Sequence, residues 1–425
     1  MLALLLVGIV AMAIVFASMR TDDARAGLGR VVALGDSSAS GDGIGTAYPD
    51  TPSQCERTPN GYPALAIAQT THSEFVNETC AGATVSSLYA GSTGVDSRWI
   101  RAQLEALNGT EKVVILSIGD NQPASMNFGN VSQKCLVTDL CAATYGSGSS
   151  NTLAGAGPEI ASAVGGALDS IHSRSPKATI FLVGYLDIAP ASGGGCSGSL
   201  AISAGNQPVF ETWEQSINST LAAVATQHNA KFVDAYGQST GHDACKGSAR
   251  WVNGVSAPSG DGAGLHPNSA GAHAVASMLL SAMASAGLDV GPTISVETLG
   301  FGTLHRAKKG SAFQTAKPSS GGRPIMLTLD SAAKVSFKLE KVESGRLSGT
   351  SCKALTTKNR KAKKCSRHIA KTGWWKTSLA AGGASVWVTG RAGGKALPSG
   401  TYRVRVQSSD LPVSDPVTMN FKIAK

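Results

Sequence analysis

A chain of 425 residues is long enough for two or three domains and a sizeable core. Its 42% hydrophobic and 15% charged residues, with 50 glycines and 5% aromatics, exclude a disordered chain or a coiled coil and fit a loop-rich globular protein. The net charge of +9 is divided unevenly. From residue 291 onward 24 Lys and Arg face 6 Asp and Glu, while residues 1–290 carry 13 against 22, so an acidic front precedes a basic back suited to anionic partners.

Residues 1–19 form an apolar segment without a charged side chain, and Ala24-Arg25-Ala26 offers a small-x-small cleavage site. Residues 1–26 are therefore expected to be a signal peptide or a membrane anchor, with the chain secreted or held at the cell surface. Eight cysteines, none in a C-x-x-C pair, agree with an oxidising compartment and point to disulfides rather than a zinc site.

From Arg30 to about Ala286, short β-branched runs at 30–34, 112–119, 177–185 and 231–236 alternate with helical spacing at 61–70, 97–107, 157–173 and 212–228. This alternation predicts an α/β domain over residues 27–288, a doubly wound, flavodoxin-like parallel sheet. Ligands of such sheets bind beyond the carboxyl ends of strands. That singles out Gly35-Asp36-Ser37 after the first run and Gly119-Asp120-Asn121 after the second. The Gly- and Ser-rich stretch 125–157 holds Cys135 and Cys141 six apart and reads as a locally stapled excursion. Beyond Gly287, runs at 324–330, 334–342, 384–392, 400–409 and 417–425 alternate apolar and polar residues, which predicts an all-β sandwich over residues 289–425. Cys352 and Cys365 flank the basic "KALTTKNRKAKK" and are expected to close a hairpin-like loop.

Four stretches carry side chains suited to acyl transfer: "LGDSSASGDG" (34–43), "CAGAT" (80–84), "GDNQ" (119–122) and "HPNSAG" (266–271). Taken singly they are weak, since Ser37 also reads as a helix N-cap, Asn121 as a turn residue, and His242 and His273 compete with His266. In this order and combination the sequence resembles the SGNH hydrolases, or GDSL esterases and lipases, over about residues 30–285, above all their secreted actinobacterial branch. The resemblance implies a serine carboxylester hydrolase, an esterase or lipase working through an acyl-enzyme. In it Ser37 is the nucleophile, His266 the general base, and the N–H groups of Ser37 and Gly82 with the Asn121 amide form the oxyanion hole. It further implies disulfides pairing Cys55 with Cys80, Cys135 with Cys141 and Cys196 with Cys245, which leaves Cys352 with Cys365.

Two departures stand out. The family's acid lies three residues before the histidine, where this chain has Ala263, so a Ser-His dyad with the Ala263 carbonyl holding the imidazole is expected, and Asp261 is the alternative third member. Asp36 belongs to the GDS turn and is not that acid. Gln122 stands where the family has Asp.

The segment "GRAGGKALPSGTYRVRV" (390–406) resembles the Ig-like C-terminal modules of secreted actinobacterial proteins. Trp374 and Trp375, adjacent in a strand-like run, face opposite sides. No nucleic-acid-binding motif is present, so the basic module is expected to meet an anionic cell-wall polymer or membrane surface. The substrate is expected to be an acyl lipid or an acetylated glycan, with no cofactor or metal, and the chain a monomer. Two other readings stay open: a polysaccharide O-deacetylase, and a non-catalytic cell-wall-binding protein on a hydrolase scaffold.

Overall fold

The computed structural model describes residues 27–122, 125–190, 192, 193, 195, 196, 199–291, 294–297, 303–329, 332–348, 351–408 and 417–424. The expected signal or anchor at residues 1–26 lies outside them. Among the described residues no helix is long and apolar enough to cross a membrane.

Five parallel strands form the first sheet: β1 (Arg30–Gly35), β2 (Glu74–Asn77), β3 (Glu111–Ser117), β4 (Thr179–Val183) and β5 (Lys231–Val233), in the order β2-β1-β3-β4-β5. Val31 to Leu34 in β1 and Val113 to Leu116 in β3 are fully buried, as strands covered on both faces require. The chain steps from β1 outward to β2 and returns to place β3 on the other side of β1. The reversal therefore falls between β1 and β3, where their carboxyl ends part and a ligand crevice opens.

The helices that position the site start where their sequences favour a start. After β1, α1 (Ser37–Ser40) is capped by Asp36, whose side chain accepts from Ser38 N at 3.1 Å. Next come α2 (Tyr62–Ile67), α3 (Gly157–Arg174) and α4 (Gln207–Gln227), each with proline in its first turn. Finally α5 (Ser269–Ser285) is capped by Asn268, whose side chain accepts from Gly271 N at 2.9 Å.

One expected helix does not form. Residues 97–107 give a two-residue strand, Trp99–Ile100, and a 3₁₀ turn, Gln103–Ala106. Ser97 has φ of 63°, Arg98 is drawn off to the carbonyls of Pro49 and Thr51 (2.8 and 2.6 Å), and Gln103 is buried against β1. There its amide accepts from Gly35 N at 2.7 Å and donates to Gly35 O at 2.9 Å, which outweighs helical spacing.

Disulfides join Cys55 to Cys80, Cys135 to Cys141, Cys196 to Cys245 and Cys352 to Cys365, the pairing implied by the resemblance.

The basic part is all β. A four-stranded sheet contains β6 (Arg323–Leu329), and a seven-stranded sheet is built around the long β7 (Ala333–Ser348). Strands β8 (Trp375–Leu379), β10 (Gly400–Ser408) and β11 (Val417–Ile423) belong to the larger sheet, and β9 (Gly382–Val388) pairs with β6. Phe313 of the smaller sheet packs on Phe337 and Trp375 of the larger one, with ring centroids 5.5 and 5.9 Å apart, so the two sheets share a sandwich-like core. Trp375 points into that core and Trp374 outward. Buried apolar side chains form one cluster within residues 28–290 and a second within 304–423.

Gly35 has φ of 146°, and a Cβ there would collide with the Ser117 carbonyl oxygen. Gly35→Ala is expected to destabilise the fold by about 2–4 kcal/mol, read as a clear fall in the thermal midpoint.

Candidate active site

Three loops converge at the β1/β3 crevice. Ser37 opens α1 directly after β1, and His266 lies two residues before the cap of α5, so each side chain is held at the end of a regular element. Ser37 Oγ is 2.8 Å from His266 Nε2, across a sequence separation of 229. On the far side of the ring Nδ1 is 2.7 Å from Gly264 O. An imidazole protonated on Nδ1 satisfies both contacts: it donates to the carbonyl and accepts from the serine hydroxyl. Phe128 meets the ring edge-on at 5.3 Å.

The carbonyl on Nδ1 is that of Gly264, not Ala263. Ala263 O instead receives Asn253 Nδ2 at 3.3 Å and His266 N at 3.3 Å. Asp261 is not on the imidazole either. Its Oδ1 accepts from Ser269 N at 2.9 Å, serving one of the orphan N–H groups that begin α5, while its carbonyl takes Asn253 Nδ2 at 2.6 Å. The histidine loop is also fastened to the serine loop, through Gly262 N on Gly43 O (3.0 Å) and Ala263 N on Asp42 O (2.9 Å). This pairing commits Asp261 to the helix side.

Gly82 has φ of 74°, and a Cβ there would meet nothing within 4 Å, so its face of the turn is open. Among the described residues neither the Gly82 N–H nor the Ser37 N–H has a protein acceptor. Asn121 uses one amide N–H on Ala83 O at 3.1 Å, which ties its loop to the Gly82 turn and leaves the second N–H to a ligand. Gln122, the departure from the family pattern, donates its backbone N–H to Gly119 O at 3.0 Å in the turn. The competing histidines lie elsewhere: His242 stacks on Trp251 at 3.8 Å with Nδ1 on Ala249 O, and His273 is exposed on α5.

Several neighbours were not legible in the motifs. Asp42 Oδ2 is 4.0 Å from His266 Nε2. Tyr185, from the loop after β4, donates to Asp36 Oδ2 at 2.5 Å and lies 3.2 Å from Asp120 N, bridging the serine and asparagine loops. Beside them lies a small cleft of mixed lining, where Phe128, Leu186 and Trp213 meet Asp120, Glu214 and Asn218. Among the described residues no His, Cys, Asp and Glu side chains cluster as a metal site would need.

Asp36 and Asp120 are both buried. Burial pushes the Asp36 carboxyl up to about 6, against hydrogen bonds that hold it down, and burial together with the Asp36 charge raises Asp120. A carboxyl raised on folding binds its proton more tightly in the folded chain. Its contribution is thus favourable at acid pH and is lost as pH rises through about 6. Asp120→Asn keeps the shape and removes one charge. The variant should gain about 1–2 kcal/mol over wild type at pH 8, a few degrees in thermal midpoint, and that gain should shrink by pH 5.

The GDSL-like Lipase/Acylhydrolase family profile matches residues 33–274, more than half of the chain. The chain is similar to Lipase 2 of Streptomyces coelicolor, 29% identical over 234 residues that cover 52% of this chain and 75% of that lipase. It is also similar to a lipase of Streptomyces rimosus, 28% identical over 232 residues, 53% and 77% of the two chains. Among solved structures, phospholipase A1 from Streptomyces albidoflavus NA297 is similar over 61% of this chain and 99% of its own, at 25% identity and a TM-score of 0.49. With its serine, glycine, asparagine and histidine blocks gathered at one crevice, the chain belongs to the GDSL-like lipase/acylhydrolase family and is a carboxylic ester hydrolase.

Proposed function

We propose that the protein is an exported serine esterase or lipase whose Ser37 and His266 act as a dyad. The observation that carries this reading is the 2.8 Å contact between Ser37 Oγ and His266 Nε2, with Nδ1 held by a backbone carbonyl. In the first step Ser37 Oγ attacks the ester carbonyl and its proton passes to Nε2. The Ser37 and Gly82 N–H groups and the free N–H of Asn121 receive the oxyanion. Collapse breaks the C–O bond of the leaving alcohol, which takes the proton from Nε2. Water then gives a proton to Nε2 and attacks the acyl-enzyme; the acid leaves and Ser37 regains its hydrogen.

The two Streptomyces relatives are named lipases, which supports an acyl lipid over an acetylated glycan as the substrate. Four disulfides and no free cysteine among the described residues support export. The two separate apolar clusters support a division into a hydrolase domain over 27–288 and an accessory domain over 289–425.

With p-nitrophenyl esters from acetyl to palmitoyl as substrates, Ser37→Ala and His266→Ala should each lower kcat by at least about 10⁴-fold. Asn121→Ala should lower it by about 10²–10³-fold. Asp261→Ala separates dyad from triad. It should keep kcat within about tenfold while losing on the order of 1 kcal/mol of stability from the start of α5, and a loss of kcat as deep as that of His266→Ala contradicts the dyad.

A further inference from the structure

We propose that the outward face of the seven-stranded sheet is a docking surface for an anionic phospholipid bilayer. The proposal deepens the lipase reading, because it names where the ester is presented. One face of this sheet is apolar core, formed by Val335, Phe337, Leu339, Tyr402, Val404 and Val406. Strand register puts the alternate residues on the other face. Lys338 pairs with Arg405, Ser336 with Lys376, Glu340 with Arg403, and Thr401, two residues from Arg403, with Lys422. Five cations thus share one surface across β7, β8, β10 and β11, with strands about 4.8 Å apart and same-face residues about 7 Å apart along each strand.

The carboxylate among them, Glu340, is shared by Arg403 at 2.5 Å, Lys338 at 3.4 Å and Arg405 at 3.9 Å, one negative charge against three cations, so the face keeps a positive excess. Lys376 and Lys422 are exposed. Trp374, 36% exposed, sits between Lys338 and Arg405, whose charged groups lie 5.7 and 5.6 Å from its ring centre. An amphipathic ring amid cations suits the headgroup level of a bilayer. The charges are spread over a sheet face rather than lined up in a groove, which matches a field of headgroups better than one polymer strand. Tethering would raise the local concentration of ester around the enzyme.

The test is sedimentation of the full chain carrying Ser37→Ala, which binds without hydrolysing, on phosphatidylcholine vesicles with or without about one third phosphatidylglycerol. Comparing the two compositions cancels any contribution of the apolar N-terminal segment. Binding at about 0.1 M salt should be at least tenfold tighter to the anionic vesicles and should fall to the phosphatidylcholine level near 1 M. Lys338→Gln, Lys376→Gln and Arg405→Gln together should abolish the difference, each change weakening binding about fivefold. Lys338→Arg with Arg405→Lys should keep it. Equal binding to both vesicles, or an unchanged preference in the triple glutamine variant with a normal thermal midpoint, overturns the proposal. So does tighter binding to soluble poly(glycerol phosphate) or DNA at equal phosphate, which assigns the face to a polymer. Hydrolysis of p-nitrophenyl esters by wild type without vesicle preference sinks docking alone; vesicle preference without hydrolysis sinks the esterase reading alone.

Discussion

The contact between Ser37 and His266 joins two loops 229 residues apart, and the rest of the site is arranged around making it reproducible. The serine is fixed by the end of β1 and the cap of α1, and the histidine by the start of α5. Backbone pairing of residues 42–44 with 261–263 then welds the loops to each other. The partner of Nδ1 is the carbonyl of Gly264, a group that carries no proton of its own. Its grip on the ring is therefore independent of pH, which a carboxylate cannot offer. On the Nε2 side of the ring Asp42 Oδ2 lies 4.0 Å away.

A second layer of polar groups lies beneath that contact. Asp36, Tyr185 and Asp120 link the serine turn to the asparagine turn through buried hydrogen bonds, and Gln103 closes both hydrogen-bonding positions of Gly35 from the other side. Two carboxyls in one buried site oppose folding once both are charged. Only the Asp36 carboxyl takes the Tyr185 hydroxyl, whereas Asp120 joins the bridge through its backbone N–H, so the loop contact survives without the Asp120 charge.

Much of this was legible in the residues. The β-branched runs carried the parallel sheet, because strands buried on both faces need continuous apolar sequence, and the small and polar residues that end each run marked the crevice. The helical spacing of 97–107 misled, since a buried glutamine and an arginine drawn to distant carbonyls overrode local periodicity. The four-residue edge strand β2 was too short to show a pattern. The blocks that contain Ser37, Gly82, Asn121 and His266 were visible as motifs, and the structure puts Ser37 on His266 and ties Asn121 to the Gly82 turn. The partner of the imidazole was not, because a carbonyl belongs to every residue alike and only loop geometry selects Gly264 over Ala263. Asp42 and Tyr185 were hidden for a similar reason: their relation to the site exists only after the loops have paired.

The most direct test of the account is intact-protein and peptide mass spectrometry after exposure to a fluorophosphonate, which captures a serine only when a neighbouring base has activated it. The account predicts one adduct per chain, on the peptide containing Ser37, and none after His266→Ala. An oxidised, folded protein that stays unlabelled, or that carries the label on another serine, contradicts it.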